Sequence, residues 1–293
     1  MTVKILQFGT SGQLGVELLR QAPRHDVQVT ALGRPEADLS DPSAAAAQVR
    51  AHRPDVVVIA AAYTAVDLAE TEIDLARAVN AGSPGAIAQA AAEVGAAVIN
   101  VSTDYVFAGD GGAPYAEDAP THPLNTYGQT KLEGERAVAQ ANPRSLSIRT
   151  SWVVSPHGKN FVKTMLRVAA AGNPLKVVDD QSGRPTSAAD LAGFVLELAP
   201  RLAAAPAGDP RFGVVHFANA GEVTWRDFAI EIFAKALGDK APEVGAQRTA
   251  DYPTPARRPL RATMDLSRLE RVYGVTPRDW RDALSDIVDE LRA

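Results

Sequence analysis

Val3-Lys4-Ile5-Leu6-Gln7-Phe8-Gly9-Thr10-Ser11-Gly12-Gln13-Leu14-Gly15-Val16-Glu17-Leu18-Leu19 runs from an apolar segment through a glycine-rich turn into a segment with helical periodicity. Strand, turn and helix start follow in the order a phosphate cradle needs. Gly9 permits the tight turn, Gly12 lets the backbone approach a pyrophosphate, and Gly15 lets the helix pack against the strand. The helix start then offers free N–H groups and a positive dipole end to an anion. A glycine turn can also join a strand to a helix without binding anything. Its place inside a βαβ unit favours a dinucleotide, with Gly9, Thr10, Ser11, Gly12, Gln13, Leu14 and Gly15 as the binding residues.

Outward from this turn, short apolar runs alternate with Ala-rich helical segments, the pattern of a parallel sheet buried on both faces. Strands are expected over 3–8, 27–32, 55–61, 96–101 and 146–149, and helices over 13–21, 42–52, 71–94 and 127–140. The expected fold is α/β, a Rossmann-type doubly wound parallel sheet. Beyond Trp152, Pro and Gly breaks at 156–158, 172–174, 183–185 and 206–210 make the order less regular. Residues 1–152 are therefore expected to form the dinucleotide-binding domain. Residues 153–293 are expected to form mainly a smaller, interleaved substrate-binding lobe, with segments near 174–195 and 212–220, including strands near 176–178 and 214–217, returning to the first domain and its sheet. The segment 280–291 reads as an amphipathic closing helix with Trp280, Leu284, Ile287 and Leu291 on one face.

A chain of 293 residues, 46% hydrophobic, can bury a full core without metals or disulfides. It has no cysteine, which excludes disulfides, thiolate zinc sites, iron–sulfur clusters and Cys nucleophiles. A net charge of -5 leaves no basic field for a phosphate backbone, so nucleic acid is not an expected partner. The apolar stretches are far shorter than the roughly 20 residues that cross a bilayer, and no membrane role is expected. A strand and glycine turn stand where a signal peptide would sit, so the expected compartment is the cytoplasm. The five histidines are scattered, with no paired spacing and no metal cluster.

The choice of dinucleotide falls at the end of the second strand, where an acid would hold the ribose 2′-OH of NAD. The residues there are Ala31-Leu32-Gly33-Arg34. Arg34 suits the 2′-phosphate of NADPH, whereas Glu36 and Asp38 are close enough to keep NADH open.

Tyr127 and Lys131 stand four apart at the start of a helix and share a face. Reducing a ketone by hydride leaves an alkoxide that needs a proton, and a phenol can give it if a cation lowers its pKa. Lys131 is the candidate cation. Ser102-Thr103-Asp104-Tyr105 follows the fourth strand, where an open α/β sheet places its ligands, so the Thr103 hydroxyl can meet a carbonyl. The alternative for Ser102 and Thr103 is a capping turn. Arg257 and Arg258 suit a diphosphate clamp or a solvated loop, and Trp152 a base or sugar stack or a core position.

Thr-Asp-Tyr-Val-Phe at 103–107, Tyr-x-x-x-Lys at 127–131 and the N-terminal glycine turn together resemble the extended short-chain dehydrogenases, and within them the dTDP-4-dehydrorhamnose reductase family. The segments 61–67, 149–153, 160–165, 180–186 and 252–259 carry the narrower likeness, which covers almost the whole chain. The resemblance implies Thr103, Tyr127 and Lys131 as a catalytic triad, Thr103 and Asp104 on the sugar, and Trp152 bounding its pocket. It also implies cofactor contacts from Asp38, Leu39, Ala61, Ala62 and Tyr63. A histidine is frequent in the family where Tyr63 stands. Some relatives bind Mg²⁺, for which no ligands can be placed in this chain. The implied reaction is NADPH-dependent reduction of a nucleotide-activated 4-keto sugar by a monomer or homodimer. The alternatives are another nucleotide-sugar reductase or epimerase, and a non-catalytic NADP-binding regulatory subunit.

Overall fold

The computed structural model describes residues 2–172 and 175–293. Strands β1 (Val3–Phe8), β2 (Val27–Leu32), β3 (Val56–Ile59), β4 (Ala97–Thr103) and β5 (Ser145–Thr150) alternate with helices α1 (Gln13–Gln21), α2 (Pro42–His52), α3 (Ile73–Arg77), α4 (Ser83–Val94) and α5 (Thr126–Ala141). Later elements are β6 (Val153–Val154), α6 (Phe161–Ala170), β7 (Leu175–Val178), β8 (Ser182–Gly183), β9 (Thr186–Ser187), α7 (Ala188–Ala203), β10 (Gly213–His216), β11 (Val223–Thr224), α8 (Trp225–Leu237), β12 (Val244–Gln247), α9 (Ser267–Tyr273) and α10 (Trp280–Arg292). The central sheet has six parallel strands in the order β10-β5-β4-β3-β1-β2. The chain leaves β1 to one side for β2 and to the other for β3, so the sheet is doubly wound with its switch point at β1/β3.

Burial on both faces explains the strand composition. β3 is Val-Val-Val-Ile with every residue buried. One face packs α1 and α7 through Leu14, Leu18, Leu191 and Val195, and the other packs α2 and α4 through Ala45, Val49, Ile87 and Ala91. Small alanines on α2 and α4 let those helices pack closely, which is why the Ala-rich runs are core and not linker.

Two expectations change. The helix over 71–94 is interrupted: a π-helical turn, Ala78–Gly82, separates α3 from α4. That turn carries Asn80, whose side chain is 1% exposed and bonds Tyr63 N–H (2.8 Å), Tyr63 C=O (3.1 Å) and the Thr130 hydroxyl (3.1 Å). A widened turn of this kind re-aims a side chain, here to fasten the loop after β3 to α5. The second change concerns the strand near 176–178, which does not join the central sheet: β7 pairs in parallel with β12. What returns from that region is α7, while β10 closes the sheet edge beside β5. Asn173 and Pro174, the end of the 172–174 break, lie outside the described residues.

A separate apolar cluster joins α6, α8 and α10 around Phe228, Phe233 and Trp280. Trp280, Leu284 and Ile287 are buried in it with Leu291 packed alongside, so core packing accounts for the face of the closing helix.

Candidate active site

The glycine turn is fixed by contacts that leave no room for a side chain at Gly9 or Gly15. Gly9 has φ +103°, and a Cβ on Gly15 would sit 2.4 Å from the Gly9 carbonyl oxygen. Buried Gln7 donates from Nε2 to the carbonyls of Gly9 (2.7 Å) and Gly15 (3.0 Å), tying both ends of the turn together. A Cβ on Gly12 would meet no protein atom within 4 Å, so the cradle is open there. Gly12 caps α1 without a side chain, leaving the first N–H groups free for an anion. These residues fit the pyrophosphate of a dinucleotide.

From this turn a cleft of about 640 Å³ runs along the C-terminal ends of β1, β3, β4 and β5, with Ala61, Ala62, Thr103, Asp104, Tyr127, Lys131 and Trp152 in its walls. Gly9, Ser11, Gly12, Gln13, Leu14 and Gly15 line its other end. Thr10 lies within the turn but outside that lining, with its hydroxyl close to Gly33. Four other expected cofactor residues also lie outside it. Arg34 is exposed and ion-paired with Asp38 (3.0 Å), Leu39 is buried in the core, and the Tyr63 hydroxyl donates to Glu72 (2.6 Å).

Tyr127 and Lys131 project from the first turns of α5, which Asn125 caps by accepting the Gly128 N–H at 2.8 Å. Gly128 is required by close approach: a Cβ there would lie 2.2 Å from the Tyr105 carbonyl oxygen, so α5 rests directly on the turn after β4. Thr103 ends β4, directly paired with Thr150 of β5, and its hydroxyl lies beside the Tyr127 phenol. The Thr103 hydroxyl also donates to Asp104 (3.1 Å) and accepts the Tyr105 N–H (3.2 Å).

Burial is the largest influence on the titrating groups of the site. Burial pushes the Tyr127 phenol up to about 12, and the hydrogen bond from the Thr103 side pulls it down in part. Lys131 does not figure among the groups that shift Tyr127. Burial instead acts on Lys131 itself, pulling it down to about 8, while Glu135 opposes that fall. Burial also pushes Asp104 up to about 7, against hydrogen bonds to its charged form.

Trp152 sits at the other wall with φ +46°, a left-handed conformation rare for a bulky residue. Its ring stacks on Trp225 with centroids 3.5 Å apart and planes at 10°. Trp225 was not singled out in the sequence. The only available signal was a Thr224/Asp227 helix start, which places Trp225 at the first helical position without showing that it faces the cleft. Arg258 is not free for a phosphate, because Asp67 holds its guanidinium (Nη2–Oδ2 2.7 Å). Arg257 remains exposed. Among the described residues no group of three or more His, Asp or Glu is arranged to hold a metal, so no site for Mg²⁺ is assigned. No helix among them is long and apolar enough to cross a membrane.

A glycine cradle at the switch point, facing a Thr/Tyr/Lys group across one cleft, marks the class of NAD(P)H-dependent oxidoreductases. Comparison with known proteins narrows this class. Residues 3–293 match the model of the family described as RmlD substrate binding domain. A dTDP-4-dehydrorhamnose reductase from Sinorhizobium fredii is 44% identical over 98% of this chain and 97% of that protein. The crystal structure of such a reductase from Clostridium acetobutylicum superposes with a TM-score of 0.92 at 37% identity, covering 99% of this chain and 100% of that one. One from Bacillus anthracis, solved in complex with NADP, gives 0.91 at 32% identity over 99% and 100% of the two chains. The chain belongs to the dTDP-4-dehydrorhamnose reductase family.

Proposed function

We propose that this chain reduces the 4-keto group of dTDP-4-dehydro-L-rhamnose to give dTDP-L-rhamnose, with NADPH as the reductant and Tyr127 as the proton donor. The observation that carries the reading is the meeting of Thr103, Tyr127 and Lys131 in the same cleft as the open Gly12 cradle. The names of the relatives, and the NADP held by the Bacillus anthracis protein, support the substrate and the cofactor.

When bound, NADPH supplies the hydride. The Gly9–Gly15 turn and the start of α1 hold the pyrophosphate, and Ala61 and Ala62 line the path from the cradle to the reacting end. Thr103 turns its hydroxyl hydrogen from Asp104 to the ketone oxygen and orients it. Tyr127 gives its phenolic proton to that oxygen as negative charge develops there. A phenol held at about 12 keeps its proton at neutral pH and still gives it readily to the more basic alkoxide. Lys131 places a cation beside the ribose and balances the phenolate left on Tyr127. Trp152, backed by Trp225, forms the wall against which the sugar is held. Asp104, which burial keeps in part protonated near neutral pH, can donate a hydrogen bond to a sugar hydroxyl.

The test is turnover of enzymatically generated dTDP-4-dehydro-L-rhamnose, with NADPH and NADH in parallel and the product identified by mass and NMR. Stoichiometric NADPH consumption with formation of dTDP-L-rhamnose is expected. Tight dinucleotide binding with no consumption of either cofactor would turn the reading towards a regulatory subunit.

A further inference from the structure

Lys131 is 3% exposed and lines the wall of the cleft. A buried amine tends to lose its proton unless an anion faces it. Tyr127, Lys131 and Glu135 recur at four-residue spacing along α5 and so occupy one face of the helix. Glu135 is 5% exposed and is gripped from two strands: Arg149 of β5 donates through Nε (2.9 Å) and Nη2 (2.7 Å), and Ser102 of β4 donates through Oγ. Ser102 is the chain neighbour of Thr103, so one carboxylate is attached to the helix bearing Tyr127 and Lys131 and to the strand end bearing Thr103.

We propose that Glu135 is a positioning residue for the reaction, whose carboxylate keeps the buried Lys131 charged and fixes the end of β4 against α5. The proposal rests on reading Tyr127 and Lys131 as the working pair of the site. The titratable and charged groups around Lys131 are Tyr127 and Glu135 on its own helix face, Asp104 in the same cleft after β4, and Arg149, which reaches the Glu135 carboxylate from β5. Among these Glu135 is the one that raises Lys131. Arg149 offsets part of the Glu135 charge, so removing either partner moves Lys131 in opposite directions while breaking the same buried pair.

That opposition separates positioning from mere support. Wild type, Glu135→Gln, Arg149→Gln and the double variant are compared by thermal melting, by the pH dependence of kcat, and by NMR titration of the Lys131 Cε/Nζ signals. Glu135→Gln is expected to lower the Lys131 pKa, and with it the alkaline limb of kcat, by about one unit or more. Arg149→Gln is expected to leave that limb in place or raise it, although both single variants lose stability. If Glu135→Gln does not fold, the double variant, free of an unpaired buried charge, takes its place and should also titrate below wild type. Equal losses of stability with the Lys131 titration unmoved overturn the proposal. Should wild type turn over no keto-sugar, the proposed function fails, and the NMR titration still decides the role of Glu135.

Discussion

Asp67 and Arg258, 191 residues apart in sequence, form a two-point ion pair that ties the loop after β3 to the Pro-rich segment near the C-terminus. The same carboxylate accepts the Ala256 N–H (3.1 Å), and the Arg257 carbonyl accepts from Asn125, the cap of α5. The pair thus binds the segment to both the cofactor loop and the helix carrying Tyr127. Arg258→Ala, Asp67→Ala and the double variant should give a coupling of about 1 kcal/mol in a denaturant cycle, discounted because Asp67 is 40% exposed. Arg258 holds the Asp67 carboxyl below its ordinary value, so the coupling is present above the ordinary carboxylate pKa. It is lost as pH falls through the depressed one. Additive single effects at neutral pH would show that the pair contributes nothing.

Gly15→Ala places a Cβ 2.4 Å from the Gly9 carbonyl oxygen, against backbone that Gln7 holds in place. The turn must open to accept it. Dinucleotide affinity, measured by calorimetry, should fall at least about tenfold, the equivalent of about 1.4 kcal/mol. Unchanged affinity would mean the turn is not the pyrophosphate cradle.

Asp104 reverses the usual pH behaviour of a carboxylate. Its folded pKa, about 7, lies above the ordinary carboxylate value, so between the two the native state binds more protons than the unfolded chain. Stability therefore declines as pH rises through that window, by up to about 1.4 kcal/mol per pH unit from this one group. Asp104→Asn should flatten that decline and be more stable than wild type near pH 8, as read from melting curves across the window. Parallel curves for the two proteins contradict the assignment.

Arg34 bears on cofactor choice. It is 78% exposed and paired with Asp38, a weak surface contact that a 2′-phosphate can displace. Arg34→Ala is expected to raise KM for NADPH several-fold and leave that for NADH nearly unchanged. Equal effects on both would remove Arg34 from 2′-phosphate recognition.

Local pattern located the first two strands and helices to the residue, because β1, β2, α1 and α2 carry their own signals: apolar runs, the glycine turn, and the Asp41 cap with Pro42 at the helix start. It missed the break at Ala78–Gly82, which exists to bring Asn80 to Tyr63 and Thr130, contacts 17 and 50 residues away. It likewise read a strand near Lys176–Val178 but assigned it to the central sheet, since its true partner, β12, lies far along the chain. Residue spacing placed Tyr127 and Lys131 on one face, yet whether a charge acts on Tyr127 or is itself shifted depends on burial, which spacing does not carry. Asp67 and Arg258 stood in quoted motifs, but their pairing is visible only in three dimensions.

The central claim, net hydride transfer to C4 with a proton from Tyr127, is tested most directly by turnover with NADPH deuterated at the transferring position, wild type against Tyr127→Phe. Wild type should yield dTDP-L-rhamnose carrying deuterium at C4. Tyr127→Phe should bind NADPH nearly as well and turn over about a hundredfold or more slowly. A sugar product without deuterium and with no cofactor consumed, or a fully active Tyr127→Phe, would contradict the account.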